Sequence, residues 1–245
     1  MSSRTQPQPR RPFNLALAFL LLPLPALGCQ ATHATNATVA SGRARAEAES
    51  VFFPVTASLM IDGTFNRAEG ITFNGEGHLF VAANSAVWRV DPDGNATQLT
   101  DLYTNLGMAA LGERDMLVAD FGPTNRFNDG PNNDGIVWRV TPEGERTVVA
   151  EGIGDPNAIL VREDGSFLVS DDATNEIFLV GPGGEVSLFT DMIDHPNGMV
   201  FSLDGQTLFV AQIFTGIDPI VPDDRIWAIP LGEGGRPSHR TWWVE

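Results

Sequence analysis

The stretch Asn197-Gly-Met-Val-Phe-Ser-Leu-Asp-Gly-Gln-Thr-Leu-Phe-Val-Ala211 decides the fold. It joins two short apolar runs through a turn that contains Asp and Gly, and a third apolar run, Ile226-Trp-Ala-Ile229, follows it. The chain contains four copies of this unit, which begin at Glu69, Leu106, Asn157 and Asn197, with spacings of 37, 51 and 40 residues. Short apolar runs cut by Gly-containing turns at such a period are typical of a repeat architecture built from strands.

Each copy predicts a unit of four strands. In the first copy, strands over 71–73, 79–82, 87–90 and 97–100 are separated by turns such as Asp91-Pro-Asp-Gly94, where Pro fixes φ and Gly accepts a positive φ. Four-stranded units of this length are the blades of a β-propeller. We therefore predict an all-β propeller domain over 51–245, with residues 52–60 supplying an extra outer strand. The recurrent aromatic residues expected between blades are Trp88, Trp138, Phe178 and Trp227.

The composition limits the kind of partner. The chain has 245 residues, of which 42% are hydrophobic, with 25 Gly and 17 Pro, which suits one large all-β domain. Its net charge is −16, and it contains no Lys. Because a phosphate-binding surface requires clustered bases, this charge argues against nucleic acid or an anionic membrane surface as a partner.

Residues 1–28 are interpreted as an export signal. Three Arg precede an apolar run over 13–24 that is too short to span a bilayer. Ala26-Leu-Gly-Cys29 resembles a lipobox, in which Cys29 becomes the lipidated first residue. Residues 29–50 are then a flexible tether. These features predict a bacterial lipoprotein in the periplasm or on the outer membrane, attached to the membrane only through Cys29. Arg10-Arg11 leaves the general and the twin-arginine export routes both open.

Oxygen-bearing side chains recur at the position that opens each unit. In a propeller this residue lies at the start of the inner strand, which lines the central channel. Glu69, Asn157 and Asn197 occupy it in three copies and Leu106 in the fourth. Taken singly each is an ordinary turn residue, but equivalent positions converge on the axis. Carboxylate and amide oxygens are suited to a hard divalent cation such as Ca²⁺.

Longer motifs resemble one known family. Glu69-Gly opens the first unit, Pro196-Asn-Gly-Met-Val-Phe-Ser-Leu-Asp-Gly205 opens the fourth, and Arg225-Ile-Trp-Ala-Ile-Pro-Leu-Gly-Glu-Gly-Gly-Arg-Pro237 follows it. Over about residues 53–245 the sequence resembles the senescence marker protein / gluconolactonase / luciferin-regenerating-enzyme family. The resemblance implies a six-bladed propeller with one catalytic divalent metal ion in the channel. It also implies that this chain is C-terminally incomplete, with about four blades visible. The alternative is a complete, degenerate propeller of four blades with a spare N-terminal strand.

The resemblance assigns roles to residues. Glu69 and Asn197 match metal ligands, and Asn157 matches an Asn near both metal and substrate. Leu106 matches a blade that supplies no ligand. The remaining ligand is an Asp that opens the fifth blade and also acts as general base, and it is expected beyond Glu245. Ca²⁺ is the first choice of metal, with Zn²⁺, Mg²⁺ or Mn²⁺ as alternatives.

The function that the resemblance implies is a metal-dependent hydrolase of the gluconolactonase type. It would act as a monomer on a small-molecule lactone or related ester in the cell envelope. Asp155 stands where sugar-lactone members often carry Arg, so the substrate remains open. The alternative is a non-catalytic, envelope-anchored propeller that binds a ligand or a protein.

Four other polar features of the sequence are interpreted as structural rather than as parts of the site. Asn125-Arg-Phe-Asn-Asp-Gly130 resembles a site motif of the family, but it is out of place, and residues 128–135 are interpreted as an insertion loop. Asp171 and Asp172 are interpreted as turn caps. His195 is interpreted as a surface or loop residue.

Overall fold

The computed structural model describes residues 58–61, 63–124 and 132–242. These residues form four antiparallel sheets of four strands each, which we call blades one to four, and one two-stranded hairpin. The strands are, in blade one, β1 (Gly70–Phe73), β2 (Leu79–Ala83), β3 (Ala86–Val90) and β4 (Ala96–Asp101); in blade two, β5 (Met108–Leu111), β6 (Asp115–Asp120), β7 (Gly135–Val140) and β8 (Arg146–Ile153); in blade three, β9 (Pro156–Val161), β10 (Phe167–Asp171), β11 (Ile177–Val180) and β12 (Val186–Thr190); and in blade four, β13 (Pro196–Phe201), β14 (Thr207–Gln212), β17 (Ile226–Pro230) and β18 (Thr241–Trp242).

The sequence repeat corresponds to the same pairing of the second and third strands in all four blades. In every blade the aromatic residue of the third strand is paired with a Val of the second strand. The four pairs are Val81 with Trp88, Val118 with Trp138, Val169 with Phe178, and Val210 with Trp227. The all-β propeller fold predicted from the repeats is confirmed.

Apolar side chains from neighbouring blades share a core. Phe80 and Val87 of blade one are fully buried together with Met116, Val118 and Val140 of blade two. Equivalent clusters join blade two to blade three and blade three to blade four. Burial of one such side chain contributes about 1.5–3 kcal/mol. The second strands are apolar on both faces because they are covered on both sides, as the fully buried β2 shows.

The inner strands approach one another closely at their first residues. The N–H of Gly107 donates to the carbonyl of Asn157 at 3.1 Å, which ties the start of β5 to β9. A Cβ placed on Gly107 would overlap that carbonyl oxygen, and a Cβ on Gly70 would overlap the carbonyl oxygen of Leu106. These glycines are required by backbone packing. The inner strands β1, β5, β9 and β13 therefore follow one another around the channel.

Blade four contains an element that the sequence analysis missed. The hairpin of β15 (Phe214–Ile217) and β16 (Ile220–Pro222) is inserted between β14 and β17. The N–H of Ile213 donates to the carbonyl of His195 at 3.3 Å, so the hairpin leaves the blade beside the start of β13.

Several sequence interpretations lie outside the described residues. These are the export signal over 1–28, the tether over 29–50 with Cys29, the motif over 125–130, and most of the strand expected over 52–60. The described end of that segment, residues 58–60, does not form a strand. Within the described ranges no helix is long and apolar enough to cross a membrane.

Candidate functional site at the channel end of the inner strands

The structure places the predicted site residues at one end of the inner strands. Glu69 is exposed and lies directly before β1, where its N–H donates to the carbonyl of Ala82 at 3.1 Å. Asn157 and Asn197 are the second residues of β9 and β13, and both are half-buried. Leu106 is buried before β5. Because β1, β5, β9 and β13 are successive neighbours, the three residues lie at the same end of adjacent inner strands.

Asn157 is held by a residue that the sequence analysis assigned to turn capping. Its Nδ2 donates to Oδ2 of Asp172 at 2.5 Å. Asp172 lies one residue beyond β10 and is almost fully buried. A carboxylate only accepts, so the bond fixes which end of the Asn157 amide faces it and directs the amide oxygen elsewhere. The capping role predicted for Asp172 was wrong, because its carboxylate bonds to the side chain of Asn157. The sequence signal for this contact was an acid at position 172, where blade two has the apolar Phe121.

Asp171 has the capping role that the sequence predicted. Its carboxylate accepts the N–H groups of Gly154 at 3.1 Å, Asp155 at 3.2 Å and Ala173 at 3.2 Å. Two of these donors belong to the loop that enters β9. Asp171 therefore fixes the approach to the inner strand that carries Asn157.

Three buried carboxyl groups meet at this corner of blade three. Asp155, Asp171 and Asp172 are each at most 3% exposed. Burial raises the pKa of Asp155 and of Asp171. Burial also raises the pKa of Asp172 to about 7, against the opposing bond from Asn157 and with the help of the neighbouring negative charges of Asp155 and Asp171. Within the described residues, Oδ2 of Asp155 and Oδ1 of Asp172 have no hydrogen-bond partner.

His195 lies against the same corner from blade four. Its Nδ1 is 2.9 Å from the carbonyl oxygen of Asp172, so Nδ1 carries the proton and donates to it. Its ring meets Phe214 of the hairpin edge-on, with centroids 6.2 Å apart. The residue is half-buried and has a positive φ of 47°. His195 therefore connects the start of β13 to blade three.

A cleft with a mixed polar and apolar lining opens beside Glu69. Its volume is about 410 Å³, and it lies between the channel ends of blades one and two. Its lining includes Arg67, Glu69, Asn84, Ser85, Tyr103 and Thr104. One acid, one base, an exposed aromatic ring and several neutral polar groups thus surround a single space.

The donor set is suited to a hard cation but is small. Glu69, Asn157 and Asn197 offer one carboxylate and two amides, all oxygen donors of the kind that Ca²⁺ and Mg²⁺ prefer. Among the described residues no group of three or more His, Cys, Asp or Glu is placed to hold a metal ion. A cation at the channel mouth would therefore depend on Glu69 for its charge and on further oxygen ligands.

Comparison with solved structures identifies proteins of similar fold. A gluconolactonase from Xanthomonas campestris is 20% identical, with a TM-score of 0.57 over 73% of this chain and 62% of its own. The calcium-binding protein regucalcin from Agrobacterium tumefaciens is 15% identical, with a TM-score of 0.53 over 72% and 60%. An auxiliary nutrient binding protein from Bacteroides ovatus is 13% identical, with a TM-score of 0.57 over 74% and 43%.

These similarities extend over most of the described residues. The first two neighbours agree with the family resemblance of the sequence, and at this identity the likeness shows the fold. The chain spans about three fifths of their length. No protein-family model and no curated protein sequence matches the chain.

Proposed function

We propose that this chain is a cation-dependent hydrolase of the lactonase type. The observation that carries the proposal is the placement of Glu69, Asn157 and Asn197 at the same end of neighbouring inner strands. The propeller fold shared with a gluconolactonase supports it. The substrate is a small lactone or related ester.

Each residue has a separate task in this proposal. Glu69 and Asn197 hold the cation, and Asn157 binds the cation or orients the substrate. Asp172 holds the Asn157 amide in one orientation through the bond from Nδ2. When bound, a divalent cation polarises the lactone carbonyl and lowers the pKa of a coordinated water. Ca²⁺ is the proposed ion, with Zn²⁺, Mg²⁺ and Mn²⁺ as alternatives.

The setting of the activity is proposed from the sequence alone. The export signal over 1–28 and a lipid on Cys29 would place the propeller in the cell envelope, as a monomer tethered by residues 29–50. The general base proposed by resemblance is an Asp at the opening of a fifth blade, after Glu245.

The substitution Glu69→Ala tests the cation site. It removes the carboxylate of the donor set, so we expect the Ca²⁺ affinity to fall at least 100-fold in calorimetry and any metal-stimulated lactone hydrolysis to disappear. Glu145→Ala is the matched control, because Glu145 is an exposed acid in the turn between β7 and β8. Unchanged Ca²⁺ binding in Glu69→Ala would refute the assignment.

The second candidate is a non-catalytic propeller that binds a nutrient or a protein in the envelope. The fold shared with an auxiliary nutrient binding protein favours it, since a propeller scaffold does not dictate chemistry. It requires that purified protein hydrolyse neither lactones nor esters in the presence of Ca²⁺, Zn²⁺ or Mn²⁺. Metal-stimulated turnover would reject it.

A further inference from the structure

The cleft between blades one and two includes one strained backbone position, at Arg67. Among the described residues four non-glycine residues have a positive φ, and three of them line this cleft: Arg67 at 53°, Asn84 at 54° and Ser85 at 55°. At Asn84 and Ser85, the two central residues of the turn between β2 and β3, positive φ is the ordinary geometry of a two-residue hairpin. At Arg67 such a conformation costs about 1 kcal/mol or more and persists only where surrounding contacts impose it. Residues held in this way concentrate at ligand sites.

A buried amide bonds to the backbone of Arg67 and of Ser85. Asn105 is 6% exposed; its Nδ2 donates to the carbonyl of Arg67 at 2.6 Å, and its Oδ1 accepts the N–H of Ser85 at 2.7 Å. Asn84 adds a second connection, because its Oδ1 accepts the N–H of Asn66 at 2.8 Å. The two loops that form the cleft wall are therefore tied together before any ligand arrives. A pre-formed wall lowers the entropy cost of binding.

The side chains around the cleft define a chemistry. Arg67 is exposed, and no acid of the described residues lies within ion-pair distance of its guanidinium. Tyr103 presents a ring that is 51% exposed. The hydroxyl of Thr104 is buried and has no partner within the described ranges. A guanidinium recognises a carboxylate, hydroxyls and amides recognise alcohol groups, and an exposed ring packs on the C–H face of a compact ligand.

We propose that this cleft selects a ligand that carries a free carboxylate on a hydroxylated carbon chain, with Arg67 as the residue that binds the carboxylate. The proposal rests on the proposed function and deepens it, because Glu69, the proposed cation ligand, also lines the cleft. The substrate is then an acidic hydroxylated lactone rather than a neutral one. In a chain with a net charge of −16, Arg67 is the local positive charge that makes an anionic ligand acceptable here.

The test uses two probes that the protein cannot hydrolyse. Glucarate and glucitol share a six-carbon hydroxylated chain and differ in having two carboxylates or none. Calorimetry with the whole chain in excess Ca²⁺ is expected to show glucarate bound at least 10-fold more tightly than glucitol. Arg67→Gln is expected to remove this preference, while Arg67→Lys keeps part of it. Arg89→Gln, which removes an exposed charge from β3 of the same blade, is expected to retain it in full.

Each outcome separates this proposal from the proposed function. Loss of the preference only in Arg67→Gln supports the cleft proposal, even if no lactone is hydrolysed, in which case the hydrolase proposal fails alone. Equal binding of the two probes, absence of glucarate binding, or equal effects of Arg67→Gln and Arg89→Gln would overturn the cleft proposal, whatever the hydrolysis assay shows.

Discussion

The carboxylate of Asp120 in blade two and that of Asp171 in blade three occupy the same repeat position. Asp120 accepts three backbone N–H groups and one indole N–H, whereas Asp171 accepts three backbone N–H groups and no indole. Asp120 binds the N–H groups of Tyr103, Thr104 and Gly122 and the indole of Trp138. The equivalents of the two donors before the inner strand are Gly154 and Asp155, which bind Asp171.

Blade three replaces two further residues of this corner by acids and the indole by a phenyl ring. Phe178 stands where blade two has Trp138, Asp172 where it has Phe121, and Asp155 where it has Thr104. The result is two buried oxygens without partners in the described part of the chain, on Asp155 and Asp172. In the corner of blade two the carboxylate is fully bonded and the unpartnered buried atom is the neutral hydroxyl of Thr104, whereas in the corner of blade three the unpartnered atoms are carboxyl oxygens beside Asn157. A repeat that departs from its own rule in this way marks the place where function competes with folding.

The largest expected effect is in blade two. Asp120→Ala removes the acceptor of four donors in a fully buried corner. We expect the free energy of unfolding to fall by about 3–5 kcal/mol, since buried unsatisfied donors are costly. Urea unfolding measures it, and Asp93→Ala in an exposed turn is the control. A loss below about 1 kcal/mol would show that the two corners do not differ in the way described.

A substitution in blade three is expected to act in the opposite direction. Asp172→Asn removes a buried charge and keeps an acceptor for Asn157. The pKa of Asp172 is about 7 in the folded protein, above its ordinary 3.8, so the wild type loses stability as the pH rises from about 4 to 7. The variant should match the wild type near pH 4 and be more stable by about 2 kcal/mol at pH 8. Urea unfolding at several pH values tests this, and a difference that does not change with pH would contradict it.

The smallest expected effect comes from making blade three more like blade two. Phe178→Trp places an indole opposite Val169, in the register that Trp138 and Trp227 occupy in their blades. The new N–H should donate to Asp171, lower its pKa and raise the free energy of unfolding by about 0.5–1 kcal/mol at neutral pH. Asp171→Asn in the same background should reduce the gain. A loss of stability would mean that the half-buried Phe178 site is too small for the ring.

The sequence was sufficient for the architecture because its signals are local and repeated. Alternating apolar runs and Pro-Asp-Gly turns fixed the strands, and the register of Trp88 with Val81 repeats in every blade. The positions of Glu69, Asn157 and Asn197 at the starts of inner strands followed from that repeat. Their roles as ligands remain predictions.

The rest depended on contacts between segments far apart in sequence. The bond between Asn157 and Asp172 could not be read from the sequence, because it joins the start of β9 to the residue after β10, 15 positions later. The cleft at Arg67 needs Asn105, 38 residues away, to tie its wall. The hairpin of β15 and β16 lies inside the fourth unit, between its second and third strands, where the described residues of the other three units form no hairpin to compare.

The glycines that open the inner strands have a consequence for the spacing of those strands. At Gly70 and Gly107 the neighbouring strand approaches so closely that a methyl group would meet its main chain. The spacing of neighbouring inner strands at this end is therefore set by contacts between backbones. A methyl group added at either glycine would force the backbones of two neighbouring inner-strand segments apart. The distance between these strands thus depends on two residues that have no side chain.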